Sequence, residues 1–354
     1  MISKKRTGRW FLYCATALAA ILLLTMYAPD LTKFKPSATD SNPSKTAIAA
    51  VDPPVVKVHL WLDGYPNASH AFIYAADMMG YFREQGLALE IMIPKGNVDI
   101  LGEVSSGELN IALVPGPKVL FARQRLLPVV SIAAVMKGPL TYLTVPSASP
   151  IHMPRHLIGT EVGVGMHSHY EAILRTIAAN DGIDPSDVTM KLMSSFTPKL
   201  MKEQQTDAWI GPNIYRDRIQ YDKQGMATRM IDPTLYGVPR YYESIVAANE
   251  QAVQENPELY QKIWTALSDG QTYVEEHPDL VIRYLLSKQH SSEPLNFEVE
   301  KESFEMLLPF MRESAHPFGS QTSKVWKETA EWLVDSGMLD GDINVNDAYV
   351  KLID

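Results

Sequence analysis

VVKVHLWLDGYPNASHAFIYAADMMGYFREQGLALEIMI, residues 55–93, is the stretch on which the architecture turns. VVKVHLWL (Val55 to Leu62) is rich in β-branched residues and reads as a first strand. Ser69-His70-Ala71-Phe72 then opens a helix that runs through Tyr81-Phe82, with Ser69 as its expected N-cap. LALEIMI (Leu87 to Ile93) is a second strand. Strand, helix, strand is the unit of a parallel sheet, because parallel neighbours need a long crossover.

The rhythm continues downstream. A helix is expected near Asp99 to Ser105, and a third strand at Leu109 to Val114 running into Pro115-Gly116-Pro117. A helix through Arg123 and a strand at Pro128 to Val135 follow. Such a sheet offers ligands the carboxyl ends of its strands. Thr141 to Val145 reads as a crossing strand into a second set: a strand at TEVGVG, a helix from Ser168, strands at VTMKLM and TDAWIG. SIVAAN (Ser244 to Asn249) leads back, and from Glu250 the pattern is almost all helical. The expected fold is α/β, with two lobes joined by two crossings. Residues 55–140 begin lobe one, 141–243 form lobe two, and 244–354 return to lobe one. Two crossings make a hinge, and hinged lobes close over a guest.

The N-terminus reads as an address. Phe11 to Ala28 carries no charge and is just long enough to span a bilayer, and Lys4, Lys5, Arg6 and Arg9 precede it. The basic flank places Met1 in the cytoplasm and the body outside, on the periplasmic side of the inner membrane. Residues 1–28 are therefore an uncleaved anchor or a cleaved signal, the latter giving a secreted body. Residues 29–54, rich in Pro, Ser, Thr and Ala, read as a flexible tether.

Composition excludes several chemistries. The formal charge is −9, and all four bases of the first 28 residues lie ahead of an acidic body, so nucleic acid is not an expected partner. The single cysteine, Cys14, lies in the apolar run, so thiolate catalysis and cysteine metal sites are absent from the body. No G-x-S-x-G, H-E-x-x-H or post-strand G-x-G-x-x-G motif is present. His167 and His169 lack a third ligand at sensible spacing, so no metal and no cofactor are expected.

Four patches between His59 and Asn249 carry a family likeness: LDGYPNASHAFIYAADMMGYFREQGLALEI, SSGELNIALVPGPKVLFARQRLLPVVSIAAV, GTEVGVGMHSHYEAILRTI and YGVPRYYESIVAANEQAVQENPEL. The chain resembles the periplasmic binding proteins for pyrimidine precursors of thiamine and for sulfonates, related in fold to thiamine pyrimidine synthase. The likeness implies a type II periplasmic-binding-protein fold and capture of a small heterocycle for an ABC-type permease, without catalysis. A membrane-tethered ligand sensor is the alternative. A synthase is disfavoured: its cofactor-bearing lysine falls on Val114 and its consumed histidine on Lys118, and Val238 to Tyr242 lacks its cysteine-rich run.

The resemblance also implies a ligand-binding set. Asn67 and His70 match a Pro-Asn…His pattern that lines the family cleft, against a plain turn and cap. Where the family carries a tryptophan this sequence has Gly64, leaving Tyr65 as the aromatic candidate. Gly116 admits close backbone approach by a ligand, or simply a tight turn. Ser168, His169 and Tyr170 open a helix whose free N–H groups suit a polarised oxygen, against capping by Ser168 alone. Asn213, Tyr215 and Asp217 stand where thiamine-precursor binders have a Trp-Asn-Trp-Glu pattern, so indole stacking is reduced to one phenol. Tyr242 and Glu243 close the set, against packing of the tyrosines between lobes.

Overall fold

The structure, a computed structural model, describes residues 56–353 apart from 97, 108–109, 204–205, 290–293, 313–315 and 342. The expected anchor (1–28) and tether (29–54) lie outside the described residues. Among the described residues, no helix is long and apolar enough to cross a membrane.

The chain runs β1 (Val56–Trp61), α1 (Ala71–Met79), α2 (Tyr81–Glu84), β2 (Leu87–Met92), α3 (Ile100–Ser106), β3 (Asn110–Val114), α4 (Gly116–Gln124) and β4 (Val129–Lys137). It continues with β5 (Thr141–Pro146), β6 (Glu161–Gly165), α5 (Ser168–Asn180), β7 (Thr189–Met193), α6 (Pro198–Glu203), β8 (Ala208–Asn213), α7 (Arg216–Lys223) and β9 (Thr228–Ile231). Then come β10 (Tyr242–Asn249), α8 (Glu250–Glu255), α9 (Pro257–Glu276), α10 (Pro278–Ser287), α11 (Phe297–Met311) and α12 (Ser323–Asp335).

Two five-stranded sheets result, ordered β2-β1-β3-β10-β4 and β7-β6-β8-β5-β9. In the first, β1 runs parallel to β2 and β3, while β10 returns antiparallel between β3 and β4. In the second, β6 is parallel to β7 and β8, and β5 is antiparallel to β8 and β9. The chain leaves the first sheet after Lys137 and re-enters it at Tyr242. Eight of the nine residues of β4 are buried although it ends the sheet. Its outer edge is occupied: the Ser131 N–H donates to the Ala348 carbonyl and that of Ala134 to Gly319, each at 2.9 Å. Backbone groups on such an edge need partners, and the C-terminal segments supply them.

Two local readings are corrected. The cap of the first helical segment is Asn67, not Ser69: its side chain accepts from the Ser69 N–H at 2.8 Å. A one-turn 3-10 segment, Ala68–His70, precedes α1. The helix expected through Phe82 is cut at Gly80, whose φ of 79° ends α1. β9 was not apparent from sequence, being four residues long and only partly buried.

The long helix α9 lies against α1, and Gly270 sets their separation. A methyl group there would sit 2.2 Å from the Phe72 carbonyl oxygen. Backbone cannot yield as a flexible side chain can. Gly270→Ala is therefore expected to destabilise the protein by about 2–4 kcal/mol despite the better helix propensity of alanine. Urea unfolding measures this, and a neutral or stabilising result refutes the close approach.

Candidate functional site

The first strand ends at Trp61, and the chain turns at Asp63 into the capped segment 67–70. His70 is fully buried there. Its Nδ1 accepts the Asn67 N–H at 3.1 Å, which leaves Nε2 to carry the proton of the neutral ring. Nε2 lies 2.8 Å from Asp63 Oδ1. The tautomer is thus set by the backbone, and His70 aims the carboxylate. Asp63 keeps 38% of its side-chain surface open. Burial pushes its carboxyl up, but the hydrogen bond from His70 and nearby positive charge, Lys118 included, outweigh that and hold it below the usual range.

Lys118, on the first turn of α4, faces the same space. Burial lowers its ammonium, and Asp63 and Asp99 oppose this through charge. From the second sheet, His167 and His169 arrive at the start of α5, their rings stacked 5.7 Å apart. Burial, then Lys118, brings His167 down to about 4, so its ring is neutral at physiological pH. His169 is fully buried and held well below the usual imidazole range, by burial first and then by His167 and Lys118. Among the described residues neither of its ring nitrogens has a hydrogen-bond partner. His169 packs edge-on against Tyr170 and Tyr241, with ring centres 4.6 and 5.6 Å away.

The crossings between the sheets supply the remaining wall. Glu243 accepts from the Leu140 N–H at 2.9 Å and from the Tyr241 hydroxyl at 3.0 Å. Burial pushes its carboxyl up to about 7, against those two bonds, with the Asp63 charge adding to the rise. The Thr141 hydroxyl donates to Tyr170 Oη at 3.2 Å. Asp217, pushed up by burial, is steadied by the Asn213 N–H at 2.9 Å and the Arg216 charge. Tyr215 is buried, and its hydroxyl hydrogen-bonds the Ser69 side chain across the gap. The charges of Glu243, Asp217 and Asp63 all bear on the Tyr170 hydroxyl, so three carboxyl groups converge from both sheets and the crossing.

A cavity of about 440 Å³ opens beside Lys118 and the start of α5, lined by Asp99, Phe121 and Ser168 among others. A surface groove of about 540 Å³ lies beyond the Tyr241–Trp332 stack; its carboxylates, Glu328, Glu331 and Asp335, are solvent-exposed on α12 rather than buried between the sheets. The site follows the buried titratable groups rather than this surface groove. Among the described residues no three His, Cys, Asp or Glu side chains form a metal-holding group.

The family described as NMT1/THI5 like matches residues 67–280. The chain belongs to it. Within curated proteins, the chain is 32% identical over 311 residues to the formylaminopyrimidine-binding protein of Halalkalibacterium halodurans, covering 88% of this chain and 94% of that one. It is 25% identical over 234 residues to a 4-amino-5-hydroxymethyl-2-methylpyrimidine phosphate synthase of Saccharomyces cerevisiae, covering 63% and 68%. The alkanesulfonate-binding protein SsuA of Xanthomonas axonopodis pv. citri has the same fold, with a TM-score of 0.63 at 15% identity over 84% of this chain and 98% of that one. The two-lobed binding-protein fold is that of this NMT1/THI5-like chain.

Within this family member, the residues singled out from sequence fall into two groups. Tyr170, Tyr215 and Glu243 feel the Asp63 charge, and His169 and Asp217 adjoin them through Tyr170. Tyr65, 44% exposed, and Ser168, also exposed, stand at the rim. The others are engaged in building the site. Asn67 caps, and His70 is covered. Asn213 Oδ1 accepts from the Arg216 and Asp217 N–H groups at 2.9 and 3.1 Å. Gly116 lets α4 approach β10, since a methyl there would meet the Tyr242 carbonyl at 2.9 Å. Tyr242 itself is spent on packing: it is buried, lies edge-on to Trp326, and its hydroxyl accepts the Thr322 N–H at 2.9 Å. Its neighbour Glu243 points the other way, as alternate strand residues do. Asp63, His167, Lys118 and Thr141 were missing from the sequence-derived set. For Asp63 the signal was present, a carboxylate just past the first strand, where parallel sheets offer their ligand edge.

Proposed function

We propose that the chain is an extracytoplasmic solute-binding protein that captures a formylaminopyrimidine-like heterocycle and delivers it to an ABC-type importer, without catalysing a reaction. The convergence of Asp63, Asp217 and Glu243 on a tyrosine-walled gap between two sheets carries this reading. Amino-substituted rings present donors at their edge and a flat apolar face. Carboxyl groups accept the one, and Tyr170, Tyr215 and Tyr65 cover the other. Lys118 and the neutral His167 offer donors to a carbonyl oxygen on the same ligand. The formylaminopyrimidine-binding relative supports the ligand class. The 11–28 run supports delivery outside the cytoplasmic membrane.

Val114 and Lys118 speak against synthase chemistry. Val114 is buried and has no amine for a Schiff base, and an ammonium at 118 cannot surrender imidazole atoms. Mass spectrometry of small molecules released from freshly purified protein is expected to recover an aminopyrimidine. Recovery of a sulfonate alone, or formation of a pyrimidine product on incubation with pyridoxal phosphate and iron, refutes the reading.

A further inference from the structure

Glu300 lies on α11, past the end of the family match at residue 280 and outside every motif quoted from the sequence. It is fully buried, which is unusual for a carboxylate. Both its oxygens are engaged, and by different parts of the molecule. Oε2 accepts the Ala68 N–H at 2.7 Å, at the first residue of the segment that carries Ser69 and His70. Oε1 meets Nε of Arg216 at 3.2 Å, at the start of α7 beside the second sheet. Arg216 stands between Tyr215, which reaches Ser69, and Asp217, which faces Tyr170.

We propose that Glu300 is a positioning residue and Arg216 its closing partner: together they hold the lobes shut and tie closure to the placement of Asp63. The Ala68 bond fixes the turn from which His70 aims Asp63. The Arg216 bond brings Tyr215 and Asp217 onto that turn from the other lobe. When the lobes part, Arg216 leaves and Glu300 is left buried without its counter-charge, which is a costly state. The pair thus favours the closed form even before ligand arrives, and apparent affinity scales with the closed fraction. This rests on the binding reading only for its ligand readout.

The test uses the full chain with Cys14→Ser and spin labels at Leu192→Cys and Leu280→Cys. These two exposed leucines lie on β7 of the second sheet and α10 beside the first. In ligand-free protein, Arg216→Ala is expected to move the interlobe distance distribution to longer values, and Arg216→Lys to restore it in part. Titrated with formylaminopyrimidine, Arg216→Ala is expected to bind roughly 10- to 100-fold more weakly. Glu300→Gln should do the same and, because a neutral amide oxygen accepts less strongly than a carboxylate, also loosen the 68–70 turn, seen as faster amide exchange at Ala68. Because Glu300→Gln can impair folding, Arg216→Ala, which keeps the Ala68 bond, is the deciding variant. An unchanged distance distribution in Arg216→Ala overturns the proposal. Failure of the parent protein to bind formylaminopyrimidine sinks the ligand assignment instead and leaves the distance measurement valid.

Discussion

Asp63→Asn is expected to lower affinity for the proposed formylaminopyrimidine ligand by roughly 10- to 100-fold while leaving the thermal midpoint nearly unchanged. The asparagine carbonyl can still accept from His70 Nε2 at the place where Asp63 Oδ1 now does, so the turn survives. What disappears is the charge. A hydrogen bond to an ionised acceptor is worth about 1.5–3 kcal/mol, which sets the size of the expected loss. His70→Ala is the instructive contrast. It leaves the Asn67 N–H without its acceptor inside a buried segment, so stability falls by about 1–3 kcal/mol along with affinity. Calorimetric titration and thermal unfolding of both variants separate the roles. A less than roughly threefold change in affinity for Asp63→Asn would remove this carboxylate from the binding surface.

Binding is expected to strengthen as pH rises through neutrality, and Glu243→Gln to abolish that dependence. The Glu243 carboxyl titrates near 7 because burial and the Asp63 charge outweigh the Leu140 and Tyr241 bonds that favour its ionised form. A ligand amine donating to it selects the ionised form. Below about 7 the carboxyl is protonated and must first give up that proton, so affinity falls by up to about tenfold per unit of pH. Proton release on binding, read from calorimetry in buffers of different ionisation enthalpy, measures the effect. Stability runs the other way. With the folded carboxyl above its ordinary 4.5, its favourable contribution is complete below that value and is lost as pH climbs through about 7. The ligand-free protein is therefore less stable at pH 8 than at pH 5 on account of this group, and Glu243→Gln removes the difference. Affinity that is flat between pH 6 and 8 in the parent protein refutes the assignment.

The alternation of strands and helices was legible because each element announces itself locally. Val56 to Trp61 is β-branched and alternating, and Leu109 to Val114 is a short apolar run that ends at a proline. The order of strands within each sheet is not a local property, so the insertion of β10 between β3 and β4 had to come from the structure. The site divides the same way. Glu243 and Asp217 stood out as polar residues beside strands, whereas Tyr242 looked equivalent until its hydroxyl was found on the Thr322 N–H. Ser69 and Asn67 are both good caps by composition, and only backbone geometry decides between them. Lys118 was weighed solely against a histidine that enzymes require. Glu300 had no signal at all, since its meaning depends on a partner eighty-four residues away.

The placement of β10 has a consequence for biogenesis. All five strands of the second sheet are contiguous in sequence, from Thr141 to Ile231, and that half can assemble as soon as it emerges. The first sheet begins earlier in the chain yet stays split between β3 and β4 until Asn249 has been made. Its outer edge waits longer still, for Gly319 and Ala348. The earliest-synthesised half is thus the last to mature, with high contact order and exposed apolar strands in the interval. The first sheet therefore completes its outer edge only after the whole second sheet has been made.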